Sequence, residues 1–133
     1  MILEHIKGFE MNRLILVENS KTSFGSLHSE LEERGFLEFR VYNSLNDFIN
    51  ESYQKKEDLY LVVIDSLVAD FSMQTLQHLK EKFPDDYLLL IHNIDDTQQQ
   101  EIAENLGVNK SIIKSPNTAD QIKNVFMSLE QPA

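Results

Sequence analysis

The sequence predicts an α/β fold, a doubly wound sheet of five parallel strands. Three observations lead to it. Unbroken apolar runs stop abruptly at polar residues, above all Leu59-Tyr60-Leu61-Val62-Val63-Ile64, which closes at Asp65. A run without alternation and rich in β-branched residues reads as a strand covered on both faces. Such runs alternate with stretches of helical periodicity. The links between them are short, and strand–helix alternation of this kind makes the strands parallel. At 133 residues the chain suits one domain with a real core.

Each element has its own signal. Residues 1–11 are expected to be an extension, with the domain spanning 12–130. Arg13–Val17 is the first strand, closed by Glu18-Asn19-Ser20. Phe24, Leu27 and Leu31 share one face of a helix that Gly35 ends. Phe39–Tyr42 is a short strand, after which Ser44 caps a helix with Leu45, Phe48, Ile49 and Tyr53 inward. The polar stretch Gln54–Asp58 leads into the central strand. Ser72 caps the next helix, which turns Leu76, Leu79 and Phe83 inward and stops at Pro84. Tyr87–Ile91 is the fourth strand, closed by His92-Asn93. Asp95-Asp96-Thr97 open an amphipathic helix through Ile102, Ala103 and Leu106, ended by Gly107. Ser111–Ile113 is the last strand and leads to Lys114. Thr118–Gln121 has the form of a capping box, and Ile122, Val125, Phe126 and Leu129 make the final stripe.

Composition excludes several functions. No apolar run is long enough to cross a membrane, and charges in the first ten residues exclude a signal-peptide core. The absence of cysteine excludes disulfides, thiolate metal sites and a cysteine nucleophile, and fits a cytoplasmic location. Twelve basic against 22 acidic residues give a net charge of -10, the wrong sign for direct contact with nucleic acid.

Parallel strands would gather their closing residues, Glu18, Asn19, Asp65, His92 and Lys114, on one edge, where ligands of open α/β sheets sit. Neighbouring carboxylates suit a magnesium ion. An aspartate can attack phosphorus, and a lysine can neutralise a phosphoryl oxygen. Plainer roles stand beside these. Glu18 can cap the first helix, Asp65 can cap a loop, and Lys114 can be a solvated charge. His92 reads first as a partly exposed polar residue, ahead of a metal ligand or proton-sensitive switch. His5, His28 and His78 read as surface residues, and Gln98–Glu101 as a solvated helix face. Met127 lies off the last stripe and is free to join a partner surface.

In order and spacing, these blocks resemble the receiver domain of two-component response regulators, the CheY-like (βα)5 flavodoxin-like fold, over residues 12 to 129. Leu14-Ile15-Leu16-Val17-Glu18-Asn19 is similar to the family's first strand and acidic pair. Leu61-Val62-Val63-Ile64-Asp65 is similar to the strand that ends in the phosphoacceptor. Glu104-Asn105-Leu106-Gly107-Val108-Asn109-Lys110 matches the run before the fifth strand, and Lys114 falls on the family lysine. The resemblance implies a non-enzymatic signalling module. A histidine kinase or phosphotransfer protein would phosphorylate Asp65. Glu18, Asn19, Asp65 and the backbone carbonyl of Leu67 would hold magnesium, with Lys114 on the phosphoryl group. The outlet would be a downstream effector protein or domain, through a surface near the fourth helix, fifth strand and fifth helix, and a homodimer is compatible with it.

The departures from the family pattern are specific. Asn19 replaces an acid, His92 replaces the threonine or serine of the switch, and Ser111 replaces its aromatic partner. Ser115 separates Lys114 from Pro116, and Ser66–Asp70 lacks the usual proline and glycine. They imply weakened magnesium dependence and an altered switch, with a phosphorylation-independent pseudo-receiver as the alternative. A flavodoxin-like or nucleotide-binding enzyme is disfavoured, because none of the four glycines forms a phosphate loop after the first strand.

Overall fold

The computed structural model describes residues 13–19, 27–36, 39–52, 60–92 and 97–130. Among the described residues five strands alternate with five helices: β1 Arg13–Val17, α1 Leu27–Glu33, β2 Arg40–Tyr42, α2 Leu45–Ser52, β3 Tyr60–Asp65, α3 Met73–Lys82, β4 Tyr87–His92, α4 Thr97–Asn105, β5 Lys110–Ile113 and α5 Thr118–Glu130. All neighbouring strands are parallel, in the order β2-β1-β3-β4-β5. The expected extension, the helix start at Phe24, Tyr53, Gln54–Asp58 and Asp95-Asp96 lie outside the described residues.

Strand alternation sorts the core into two layers. Val62, Ile64, Leu88 and Leu90 point to one face, where they meet Leu45 and Phe48 of α2, Leu76 and Leu79 of α3 and Ala103 of α4. Leu61, Val63, Leu89 and Ile91 point to the other and meet Leu27 and Leu31 of α1 and Ile122 of α5. The central β3 is buried along its whole length because helices cover both faces.

Local capping follows the sequence in part. Ser44 Oγ accepts the Asp47 N–H, and Ser72 forms a full capping box with Thr75. Gly35 and Gly107 sit at positive φ and end α1 and α4, with Phe36 N–H on Leu31 and Val108 N–H on Ala103. The last helix departs from expectation. Thr118 does not cap it through Gln121. The buried Thr118 hydroxyl accepts the Ser115 N–H at 2.8 Å, and Ser115 Oγ accepts the Asn117 N–H. A turn from Ser115 to Thr118 with Pro116 inside it leads into the helix instead, and the Thr118 N–H donates to the Ser115 carbonyl.

α4 also departs. Gln99 and Ala103, four residues apart, form its inward line, and Ala103 is its one buried residue. Ile102 lies about 100° round the helix from Ala103 and is exposed.

Candidate functional site at the carboxyl edge of the sheet

The parallel register brings Asp65 and Lys114 together. Asp65 ends the central strand and is buried, and Lys114 follows the edge strand β5. Lys114 Nζ lies 3.7 Å from Asp65 Oδ2. Asp65 Oδ1 accepts the Leu67 N–H at 2.9 Å, a short turn that fixes the carboxylate. Leu67 thus enters the site through its amide, and its side chain is exposed.

Glu18 is fully buried and faces α1. Its Oε2 accepts the Leu27 N–H at 3.0 Å and its Oε1 the His28 N–H at 3.4 Å. Two of the orphan amides of a helix start are satisfied by one carboxylate, and its charge sits at the favourable end of the dipole. The neighbouring Asn19 is half-buried.

His92 overturns its plain reading. It is not partly exposed but fully buried beneath α4, with Nδ1 3.2 Å from Gln99 Oε1. The physical reason is alternation: His92 continues the row of Leu88 and Leu90 into the α4 side of the core, where only a polar partner makes burial tolerable. Gln99 supplies that partner, so it too leaves the solvated face expected for Gln98–Glu101. His28 is likewise half-buried, its ring edge-on to Phe39 with centroids 5.2 Å apart.

Other anchoring groups were not singled out by the sequence. Asp70 reaches from the loop after Asp65 to the start of α2, with Oδ1 on the Leu45 N–H and Oδ2 on the Asn46 N–H, both at 2.9 Å. This brace holds the loop that lacks proline and glycine. At the opposite edge, the buried Asp86 accepts the Tyr60 N–H at 3.2 Å, and burial pushes its carboxyl up to about 6. Asn109 Oδ1 accepts the Leu88 N–H at 2.8 Å.

The residues fit a resident divalent cation only weakly. Magnesium wants several oxygen donors in near-octahedral order. Both Glu18 oxygens face α1 amides, Asn19 carries no charge, and Asp65 is paired with Lys114. Among the described residues no group of three histidine or acidic side chains is placed to hold a metal.

No family model matches the sequence, and no curated protein matches it. Solved structures do. The beryllofluoride-activated NtrC4 receiver domain dimer is similar at 20% identity and a TM-score of 0.68, over 89% of this chain and 98% of that one. A CheY-like receiver domain protein from Methanospirillum hungatei JF-1 is similar at 16% identity and a TM-score of 0.68, over 89% and 93%. An atypical orphan response regulator described as using a phosphorylation-independent mechanism is similar at 19% identity and a TM-score of 0.65, over 89% and 94%. With its strand order, parallel pairing and alternating helices, the chain has the CheY-like receiver fold of response regulators.

Proposed function

We propose that the chain is a non-enzymatic, cytoplasmic signal-receiving module that acts through protein contact, without magnesium-dependent phosphorylation of Asp65 as its switch. The observation that supports this is Glu18. The acid that would serve a cation is fully buried and spends both oxygens on the start of α1. Drawing it toward a metal would strip two helix amides of their acceptor, at about 1 kcal/mol or more. The atypical regulator of similar fold, described as phosphorylation-independent, is consistent with such a module. Ile102 of α4, Ile113 of β5 and Met127 of α5 are exposed apolar residues that would offer a partner, an effector domain or a second copy, its contact. The test is amide NMR of the protein with beryllofluoride at millimolar magnesium. The spectrum is expected to stay unchanged at Asp65 and Lys114; saturable shifts there would overturn the proposal.

A second reading rests on the Asp65–Lys114 pair at 3.7 Å. In it a histidine kinase or phosphotransfer protein donates phosphate. An Asp65 carboxylate oxygen attacks the phosphorus, the P–N bond to histidine breaks, and Lys114 neutralises the phosphoryl oxygen. An acid-labile, hydroxylamine-sensitive phosphate on the wild type that is missing from Asp65→Ala would favour this reading over the first.

A further inference from the structure

Three buried side-chain polar atoms have no hydrogen-bond partner among the described residues: Asp86 Oδ2, His92 Nε2 and Ser111 Oγ. Two of the three share one patch of the sheet. In the β4–β5 register Leu90 is opposite Ser111 and His92 is opposite Ile113. Register partners in a parallel pair point to the same face, and Leu90 belongs to the layer under α4. Ser111 and His92 are therefore diagonal neighbours on the α4 side, a spacing within reach of a long or aromatic side chain.

Their chemistry is complementary. His92 Nδ1 faces the Gln99 carbonyl oxygen, a pairing that requires the Nδ1–H tautomer, in which Nδ1 donates. Nε2 then holds a lone pair that wants a donor, and the Ser111 hydroxyl is a donor that wants an acceptor. Leaving both unmade in the interior is costly, whereas a water with polar groups on two sides is a common solution.

We propose that Gln99, His92 and Ser111 form one hydrogen-bond relay, closed by a single buried water between His92 Nε2 and Ser111 Oγ, which latches α4 to β5. α4 needs such a fastener because Ala103 is its one buried residue. The relay ties together two of the three elements that carry the exposed apolar residues Ile102, Ile113 and Met127. It concerns the α4 side of the sheet and stands whether or not Asp65 accepts phosphate.

Imidazole ¹⁵N spectra and amide hydrogen exchange test it on the full chain. His92 is expected as the Nδ1–H tautomer, with Nε2 shifted as a hydrogen-bond acceptor and losing that shift in Ser111→Ala. α4 amides should exchange roughly five-fold faster in Ser111→Ala, which removes about one net hydrogen bond, and faster still in His92→Phe, which removes two. The double variant should be no faster than the faster single, because the residues act as a unit. Ser111→Thr, which keeps the hydroxyl, should restore slow exchange, and it keeps the question decidable if His92→Phe does not fold. An Nε2–H tautomer, unchanged or slower α4 exchange in Ser111→Ala, or effects that multiply in the double variant would each overturn the relay.

Discussion

Asp65, which closes β3, and Asp86, which immediately precedes β4, are both buried aspartates at opposite ends of the strands, and their surroundings differ. Asp65 has a cation 3.7 Å from one oxygen and an amide 2.9 Å from the other. Asp86 has one amide at 3.2 Å, an orphan Oδ2, and a lysine whose ammonium reaches its backbone carbonyl at 3.5 Å. The contrast teaches that burial alone does not decide how an acid behaves. At Asp65 a lysine ammonium lies against one carboxylate oxygen and an amide donates to the other. At Asp86 desolvation dominates and the carboxyl rises to about 6, despite the helpful Tyr60 amide and Lys80 and with Asp85 adding to the rise.

Breaking the better-served aspartate should have the largest effect. Lys114→Met leaves Asp65 buried without its counter-charge and should cost roughly 2–3 kcal/mol, below the full value for a wholly buried pair because Lys114 is partly exposed. Urea denaturation reads this, and Asp65→Asn added to Lys114→Met should recover much of the loss. A cost under about 0.5 kcal/mol, the range of exposed pairs, would show that the ion pair is solvated.

Relieving the poorly served aspartate should have the opposite sign. A carboxyl raised from 3.8 to about 6 costs stability as pH rises through that window and costs none below it. The shift corresponds to an upper bound of roughly 3 kcal/mol. Asp86→Asn keeps an oxygen for the Tyr60 N–H and should stabilise the protein by about 1–2 kcal/mol at pH 7. Thermal melts from pH 3.5 to 7 are expected to show wild-type stability falling between about 4 and 6, and that fall should be absent in Asp86→Asn. Parallel curves for the two proteins would mean that Asp86 titrates normally.

Asp70 sharpens the comparison with a third arrangement, a carboxylate that serves two helix amides. Asp70→Ala should cost about 1 kcal/mol and speed exchange at Leu45 and Asn46, the smallest change of the set.

The five strands were legible because unbroken apolar runs have few other uses, and the Asp65–Lys114 pair followed from their common direction. Ser44 and Ser72 were legible because a cap and its amide lie three residues apart. Glu18 was open in the sequence between a metal donor and a helix cap, and only the α1 amides nine and ten residues on show its second use. Asp70 and Asp86 act on amides 25 and 26 residues away, and no local pattern signals that. His92 looked half-exposed because a polar residue closing an apolar run usually faces water. Its partner Gln99 was hidden in a glutamine-rich run that resembled a solvated face, and Ile102 drew the α4 stripe toward the wrong side. Thr118 was misread because its hydroxyl serves the turn through Pro116, accepting the Ser115 N–H, while the Gln121 N–H goes to the Asn117 carbonyl.

Gly107 governs a residue it never bonds. At its φ of +106° a Cβ would stand 2.8 Å from Lys80 Cγ. The stem of Lys80 lies in the space a methyl would take, and from there the ammonium extends to Asp86. Any side chain at Gly107 would have to displace that stem, so the missing carbon of one residue leaves room for a lysine that eases the cost of a buried acid on another loop.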